Sequence, residues 1–133
     1  AMGRHVAMRL IRAMIRNGVT IKGSRVLIMG LTFKENCPDL RNTRVVDIIE
    51  ELTSLGVRVD VHDPLAEPGE ARREYALELC RPESGAYDGI VLAVAHEDFR
   101  ALGETAIRSF GKPSAVLFDL KGMFASDSGM LRM

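Results

Sequence analysis

The sequence lacks a surplus of charge of either sign. Its 133 residues include 18 lysines and arginines and 18 aspartates and glutamates, so the formal net charge is zero. Proteins that bind nucleic acids or anionic membranes through a broad surface usually carry a basic excess. The composition therefore predicts neither kind of partner, and an anionic ligand would have to be held by a local group of cations.

Long apolar runs and cysteine-rich motifs are missing as well. The longest apolar stretches, such as IVLAVA, are far shorter than the roughly 20 residues needed to span a bilayer. With no signal-peptide pattern, this indicates a cytoplasmic protein. The two cysteines, Cys37 and Cys80, have no CxxC or Cys/His spacing, so we expect free thiols and no metal site.

The loop GLTFKENCPDLRNTR, residues 30–44, is poor in glycine for its position between a predicted strand and a predicted helix. A dinucleotide-binding loop carries G-x-G-x-x-G there, so that the chain can approach a pyrophosphate closely. Only Gly30 fits that pattern. Anion recognition would then fall to Lys34 and Arg41, although both could instead be solvated charges or partners of the acidic residues in the same loop.

Strand and helix patterns alternate along the rest of the chain. Strands are predicted at RVLIMGL, VRVDVHD, IVLAVA and AVLFDL, with helices between them at 45–55, 67–77 and 97–110. Such alternation favours parallel strands joined by right-handed crossovers. We therefore predict an α/β fold with an open, Rossmann-like and mainly parallel sheet of about four or five strands and flanking helices.

A further helix is predicted before the first strand, because apolar residues recur at spacings of three and four from Arg4 to Arg16. A parallel sheet does not need this helix, so we expect it to pack against something else. We interpret residues 3–18 as the end of a long interdomain helix and residues 23–133 as the domain proper. If the apolar stripe of the helix is exposed, self-association should follow.

Four loops are expected to share the rim at the carboxyl ends of the strands, where ligands of open α/β sheets bind: 30–44, 63–68, 95–98 and 119–124. Asp63 ends the second strand, where a ribose-binding acid would sit, but the proline after it favours a turn or cap. Cys37 has no histidine nearby in the sequence and is interpreted as a structural thiol. His5, His62 and His96 are interpreted as ordinary polar residues.

The loop, together with VDVHDP, YDGIVLAVAHEDF and FDLKGM, resembles the C-terminal domain of the UDP-glucose/GDP-mannose dehydrogenase family. The match extends from about Gly23 to Lys121, and MGRHVA looks like the last part of the long helix that precedes this domain. The wording FKENCPDLRNT is most similar to that of bacterial UDP-N-acetylhexosamine 6-dehydrogenases. The resemblance to this subgroup depends on the loop alone.

The resemblance implies an enzyme of several domains. In this family an N-terminal domain binds NAD, a central helical region dimerises and carries the catalytic cysteine, and the C-terminal domain closes over the UDP-sugar. The parent protein would oxidise the C6 alcohol of a UDP-hexose or UDP-N-acetylhexosamine to a uronic acid for surface polysaccharides, as a homodimer or higher homo-oligomer. The NAD fingerprint and the glycine-flanked cysteine motif are missing, so this chain alone is expected to be inactive.

The resemblance also implies roles for single residues. Phe33 and Lys34 match the pair that contacts the substrate nucleotide, and Lys121 stands where many members have an arginine on the UDP part. Arg41 matches the arginine that reaches the cofactor, whereas Cys37 does not match the catalytic cysteine. Two alternatives stay open: a stand-alone nucleotide-binding or regulatory module without dehydrogenase activity, and an NAD-binding domain with a degenerate glycine loop.

Overall fold

The structure, a computed structural model, describes residues 2–125 and 128–133, so two residues of the predicted domain 23–133 lie outside it. The helices are α1 (Met2–Arg16), α2 (Val45–Ser54), α3 (Pro68–Tyr75), α4 (Glu97–Leu102) and α5 (Glu104–Arg108). The strands are β1 (Arg25–Met29), β2 (Arg58–His62), β3 (Tyr87–Leu92), β4 (Gly111–Asp119) and β5 (Leu131–Arg132). All five strands pair in parallel in the order β2-β1-β3-β4-β5, which confirms the predicted α/β fold.

The central strands are apolar because helices cover both faces of the sheet. Successive side chains of a strand point to opposite faces. On β1, Val26 and Ile28 therefore pack into the core formed with α1 and α2, whereas Leu27 and Met29 pack with α4 and α5. All four are fully buried, so the sequence run RVLIM reads as a central strand.

Helix α1 packs on this same sheet. Val6, Leu10 and Met14 are fully buried in one cluster with the apolar face of α2. Helix α1 also contacts the last strand, where Arg9 Nη1 donates a hydrogen bond to the Arg132 carbonyl oxygen at 2.7 Å. The expectation that α1 packs against something else is therefore wrong, because its apolar stripe covers β3 and β4 of its own domain. The stripe is buried, so it gives no reason for self-association.

The other differences from the sequence prediction are local. The predicted helix 97–110 is divided by Gly103, whose φ of 88° interrupts the helical backbone. Strand β2 lies at one edge of the sheet, and the segment 77–80 contributes only one bridge to it, between Val61 and Leu79. Strand β5 was not predicted, because two residues are too few to show a period.

Within the described ranges, no helix combines the length and the apolar character required to cross a membrane.

Candidate functional site

A cavity of about 500 Å³ opens at the carboxyl ends of the central strands. Its walls come from the loop after β1, the amino-terminal ends of α1 and α2, the connection after β3 and the turn after β4. The lining includes the aromatic residue Phe33, the cations Lys34, Arg44 and Lys121, the acids Glu35 and Asp47, and Val94. The structure thus brings together Phe33, Lys34 and Lys121, the three residues matched to nucleotide contacts in the family.

Three cations and two acidic residues, Glu35 and Asp47, line this cavity, but the cations are not paired with the acids. In the part of the chain that the structure describes, Lys34, Arg44 and Lys121 form no ion pair. Phe33 has 54% of its surface exposed, which is unusual for a phenylalanine. Apolar walls, an exposed aromatic ring and free cations together suit a ligand that has both a flat ring and an anionic group.

Arg44 was not singled out from the sequence. It occupies the N-cap position of α2 and makes no side-chain cap hydrogen bond. The helix amino terminus itself favours anions, since its first N–H groups lack partners within the helix. A basic residue directly before the amphipathic pattern of α2 was the available signal, and only the fold shows that it faces the same cavity as Lys34 and Lys121.

The loop after β1 is anchored by Asp63, which follows β2. Asp63 Oδ2 accepts hydrogen bonds from the backbone N–H of Leu31 at 2.7 Å and of Thr32 at 3.0 Å, while Oδ1 accepts from Leu65 N–H at 2.9 Å. The turn or cap role predicted for Asp63 is therefore confirmed. Burial alone would raise the pKa of Asp63, but the hydrogen bonds from His96 and these N–H groups outweigh it and hold the pKa below its usual range.

His96 is fully buried and joins Asp63 to the same loop. Its Nε2 lies 2.9 Å from Asp63 Oδ2, and its Nδ1 accepts a hydrogen bond from Asn36 N–H at 3.0 Å. The amide oxygen of Asn36 in turn accepts from Glu97 N–H at 2.8 Å. The interpretation of His96 as an ordinary polar residue missed this role, because its contacts join residues 33 to 64 positions apart.

Gly30 serves the packing of the sheet. It has a φ of 101°, and a Cβ placed there would lie 2.6 Å from Val94 Cβ. No side chain can be accommodated at that distance, so glycine is required where the ends of β1 and β3 approach each other. The one glycine of the loop is therefore not available as a cradle for a pyrophosphate.

Asp119 holds the turn that carries Lys121. This buried carboxylate accepts hydrogen bonds from the N–H groups of Met123 and Phe124, both at 2.9 Å. The turn after β4 is thereby fixed against the end of the strand. The contribution of Asp119 was not predicted, although an acid at the end of a strand before a glycine-containing turn is a usual sign of such a contact.

Arg41 lies apart from the cavity. Its side chain is 82% exposed, and its Nε pairs with Asp39 Oδ1 at 3.0 Å. The hydrogen bond from Arg41 is the main reason why the pKa of Asp39 lies below its usual range. The assignment of Arg41 to the cofactor stays a prediction.

Cys37 and Cys80 are free thiols in the structure, and burial raises the pKa of the Cys80 thiol. Across residues 2–125 and 128–133 we find no group of three or more histidine, cysteine, aspartate or glutamate side chains that could hold a metal ion.

Comparison with known proteins places this geometry in a family. The UDP-binding domain model of the UDP-glucose/GDP-mannose dehydrogenase family matches residues 27–126. The UDP-N-acetyl-D-glucosamine 6-dehydrogenase of Pseudomonas aeruginosa is 49% identical over 133 residues, which are 99% of this chain and 32% of that protein. The enzyme of the same name from Salmonella typhi is 44% identical over 99% of this chain and 31% of its own length.

Solved structures agree in fold. The NDP-N-acetyl-D-galactosaminuronic acid dehydrogenase of Methanosarcina mazei Go1 superposes with a TM-score of 0.76 at 23% identity, over 95% of this chain and 26% of that one. The UDP-D-ManNAc dehydrogenase of Pyrococcus horikoshii gives a TM-score of 0.72 at 18% identity, over 97% and 29% of the two chains. The chain spans about a third of the length of the curated relatives it matches. It belongs to the UDP-glucose/GDP-mannose dehydrogenase family and contains the UDP-binding domain of that family.

Proposed function

We propose that this chain is the UDP-sugar-binding domain of an NAD-dependent nucleotide-sugar 6-dehydrogenase. The parent enzyme oxidises the C6 alcohol of a UDP-hexose or UDP-N-acetylhexosamine to a uronic acid used in surface polysaccharides. The observation that carries the proposal is the cavity in which Phe33, Lys34 and Lys121 meet, with neither lysine in an ion pair within the described residues.

The cavity offers separate contacts for the two parts of UDP. Lys34, Arg44 and Lys121 would neutralise the diphosphate, and charge-assisted hydrogen bonds to phosphate are among the stronger polar contacts in proteins. Phe33 would present its exposed ring to the uracil base. In this arrangement the chain binds and orients the nucleotide, and it supplies no group that reacts with the sugar.

The N-acetylhexosamine form is the substrate that we favour. The relatives at 49% and 44% identity both carry the name UDP-N-acetyl-D-glucosamine 6-dehydrogenase. The resemblance of the loop to this subgroup supports the same choice.

NAD is the hydride acceptor in the parent enzyme, and we assign its binding mainly to the N-terminal domain. The residues of this chain do not fit a dinucleotide cradle, because Gly30 is occupied by its contact with Val94. Arg41 is proposed to reach the cofactor from this side, which its exposed position allows. The N-terminal and central domains, a homo-oligomeric parent and a cytoplasmic location complete the proposal.

A backbone-amide NMR titration of this chain tests the proposal. We expect saturable shifts at Phe33, Lys34 and Lys121 with UDP, weaker binding of UMP, which has one phosphate fewer, and little response to NAD. Arg41→Ala serves as the control, because this side chain lies outside the cavity and its loss should leave the UDP titration unchanged. Saturable shifts with NAD and none with UDP would contradict the proposal and favour a degenerate NAD-binding domain.

A further inference from the structure

The segment 31–36, which carries Phe33 and Lys34, is held at both ends by one buried pair of side chains. At its start, the N–H groups of Leu31 and Thr32 donate to Asp63, and at its end Asn36 N–H donates to His96. Asp63 and His96 are themselves joined at 2.9 Å, and both side chains are fully buried. The proposed nucleotide contacts therefore lie on a segment whose two ends are clamped by residues of two other loops.

The hydrogen bonds fix the proton on one nitrogen of His96. Asn36 N–H can only donate, so His96 Nδ1 must accept and carries no hydrogen. The proton then lies on Nε2, which faces Asp63 Oδ2 at 2.9 Å and Thr32 Oγ1 at 3.2 Å. Because the Thr32 hydroxyl donates to the Lys34 carbonyl oxygen at 3.1 Å, it is free to accept from Nε2–H. Every contact of the ring agrees with the neutral Nε2–H form.

We propose that His96, as its Nε2–H tautomer, is a positioning residue of the nucleotide site: it bridges Asp63 and Asn36 N–H, and so keeps Phe33 and Lys34 directed into the cavity. This inference rests on the proposed function. His96 touches no ligand in this scheme, since Thr32 and Asn36 lie between it and the nucleotide contacts.

The two nitrogens of His96 have separable tasks. Nε2–H faces the buried Asp63 carboxylate and Thr32 Oγ1, and so supports the start of the loop. Nδ1 contacts only the loop, through Asn36 N–H, and this contact is the one that positions the proposed site. The φ of 59° at Asn36 lies in the left-handed region, which asparagine adopts more readily than most other residues, so the turn that presents its N–H to His96 suits this residue.

Two substitutions separate these tasks. In His96→Asn the side-chain oxygen takes the place of Nδ1 and can accept from Asn36 N–H, but the shorter side chain no longer reaches Asp63. In His96→Gln the amide N–H takes the place of Nε2–H and can donate to Asp63, but no acceptor is left for Asn36. Both variants lose stability, so stability alone does not distinguish a positioning role from a structural one.

The deciding measurement compares UDP affinity and the hydrogen exchange of the Asn36 amide in the wild-type chain and both variants. We expect a protected Asn36 amide in the wild type and in His96→Asn, and fast exchange in His96→Gln. We also expect His96→Gln to bind UDP about tenfold more weakly, as for a binding-competent loop populated a tenth of the time. Equal affinity in His96→Gln and the wild type would overturn the inference.

The wild-type chain gives a test that does not depend on the folding of a variant. Long-range ¹H–¹⁵N spectra of the imidazole should show a protonated, pyrrole-type Nε2 and an unprotonated, pyridine-type Nδ1; the reverse pattern would overturn the inference. A wild-type chain that binds no UDP would refute the proposed function, and this inference with it. If UDP binds but His96→Gln binds it equally well, only the inference fails.

Discussion

The two ends of the sheet treat charge in opposite ways. At the amino-terminal end, Arg25 pairs with Asp60 at 2.9 Å and with Glu83 at 3.0 Å, while Tyr87 donates its O–H to Asp60 at 2.6 Å. At the carboxyl end, the three cations of the cavity have no acidic partner among the residues described. Arg25 is thus neutralised within the chain, whereas the cavity cations are left without an ion pair in the described part of the chain, as the proposed function requires.

This difference helps to separate stabilising charges from binding charges. Lysine and arginine occur at both ends, so residue type alone does not distinguish them. The difference lies in the groups around each cation. Besides its acidic partners, Arg25 stacks over the Tyr87 ring, with its Cζ 5.0 Å from the ring centroid. At the carboxyl end, Asp63 and Asp119 accept hydrogen bonds from backbone N–H groups of the loops that carry Lys34 and Lys121.

The largest effect should come from Asp63→Ala, which tests whether a buried acid really organises the binding end. Its loss leaves the N–H groups of Leu31, Thr32 and Leu65 without an acceptor, and it leaves His96 Nε2–H with Thr32 Oγ1 alone. Each buried unsatisfied donor costs about 1–3 kcal/mol, so we expect the free energy of unfolding in urea to fall by at least about 3 kcal/mol. The exposed Asp98→Ala is the matched control, and a loss as small as that of the control would refute this role.

Next in size, Lys34→Gln should weaken UDP binding about tenfold, or about 1.4 kcal/mol, because a charge-assisted contact with phosphate is removed. Lys121→Gln should act in the same direction. In both variants the free energy of unfolding should stay within about 0.5 kcal/mol of the wild-type value, as for surface positions. Calorimetric titration with UDP and urea unfolding measure the two quantities. A clear loss of stability without a loss of affinity would show that these lysines stabilise the fold, as Arg25 does, and do not bind the nucleotide.

A smaller effect is expected from Tyr87→Phe at the opposite end. Removing the O–H leaves Asp60 without one donor, which should cost about 1 kcal/mol of stability at pH 7. Burial, followed by the hydrogen bond to Asp60, raises the pKa of Tyr87 from 10.0 to about 12. The folded state therefore holds the phenol proton more tightly than the unfolded state does, and the stability gained is complete below pH 10 and is lost as the pH rises towards 12.

The wild-type advantage over Tyr87→Phe should accordingly shrink when unfolding is measured at increasing pH above 10. An advantage that stays constant across this range would show that the phenol is not the group whose proton is held by Asp60. UDP affinity should not change in this variant, because the substitution lies at the end of the sheet away from the cavity.

The smallest effect should come from Arg41→Ala. This exposed side chain pairs only with Asp39 in the described residues, and exposed pairs contribute about 0–1 kcal/mol. We expect almost no change in stability or in UDP affinity of this chain. In the full-length parent enzyme the same substitution should raise the KM for NAD if Arg41 reaches the cofactor. An unchanged KM would remove the cofactor assignment.

The fold could be predicted from the sequence because its helices and strands keep the hydrophobic periods that single segments show. The stripe of α2 and the alternation of β2 follow from periods that are visible within single segments. The packing of α1 was mispredicted, since a stripe shows that a face is buried but not which surface covers it. The clamp formed by Asp63 and His96 was missed for a related reason: the two residues are 33 positions apart and meet only when the sheet has formed.

The candidate site was predicted in part. The meeting of loops 30–44 and 119–124 at one rim was predicted from the alternation of strands and helices. The choice of Phe33, Lys34 and Lys121 within these loops came from the resemblance to a family, because single residues on separate loops carry no local signal of their own. Arg44 could not be ranked from the sequence above the other basic residues of its segment. Its importance depends on the direction of α2, which places the start of the helix at the cavity.

The contact between α1 and the last strand has a consequence for the order of folding. The hydrogen bond from Arg9 to Arg132 spans 123 residues, and a second one from Asn17 to the Ser114 carbonyl oxygen spans 97. Contacts of such sequence separation form late, since the chain must first close a long loop. During synthesis on the ribosome, the first helix would therefore wait with part of its surface uncovered until the final strands emerge.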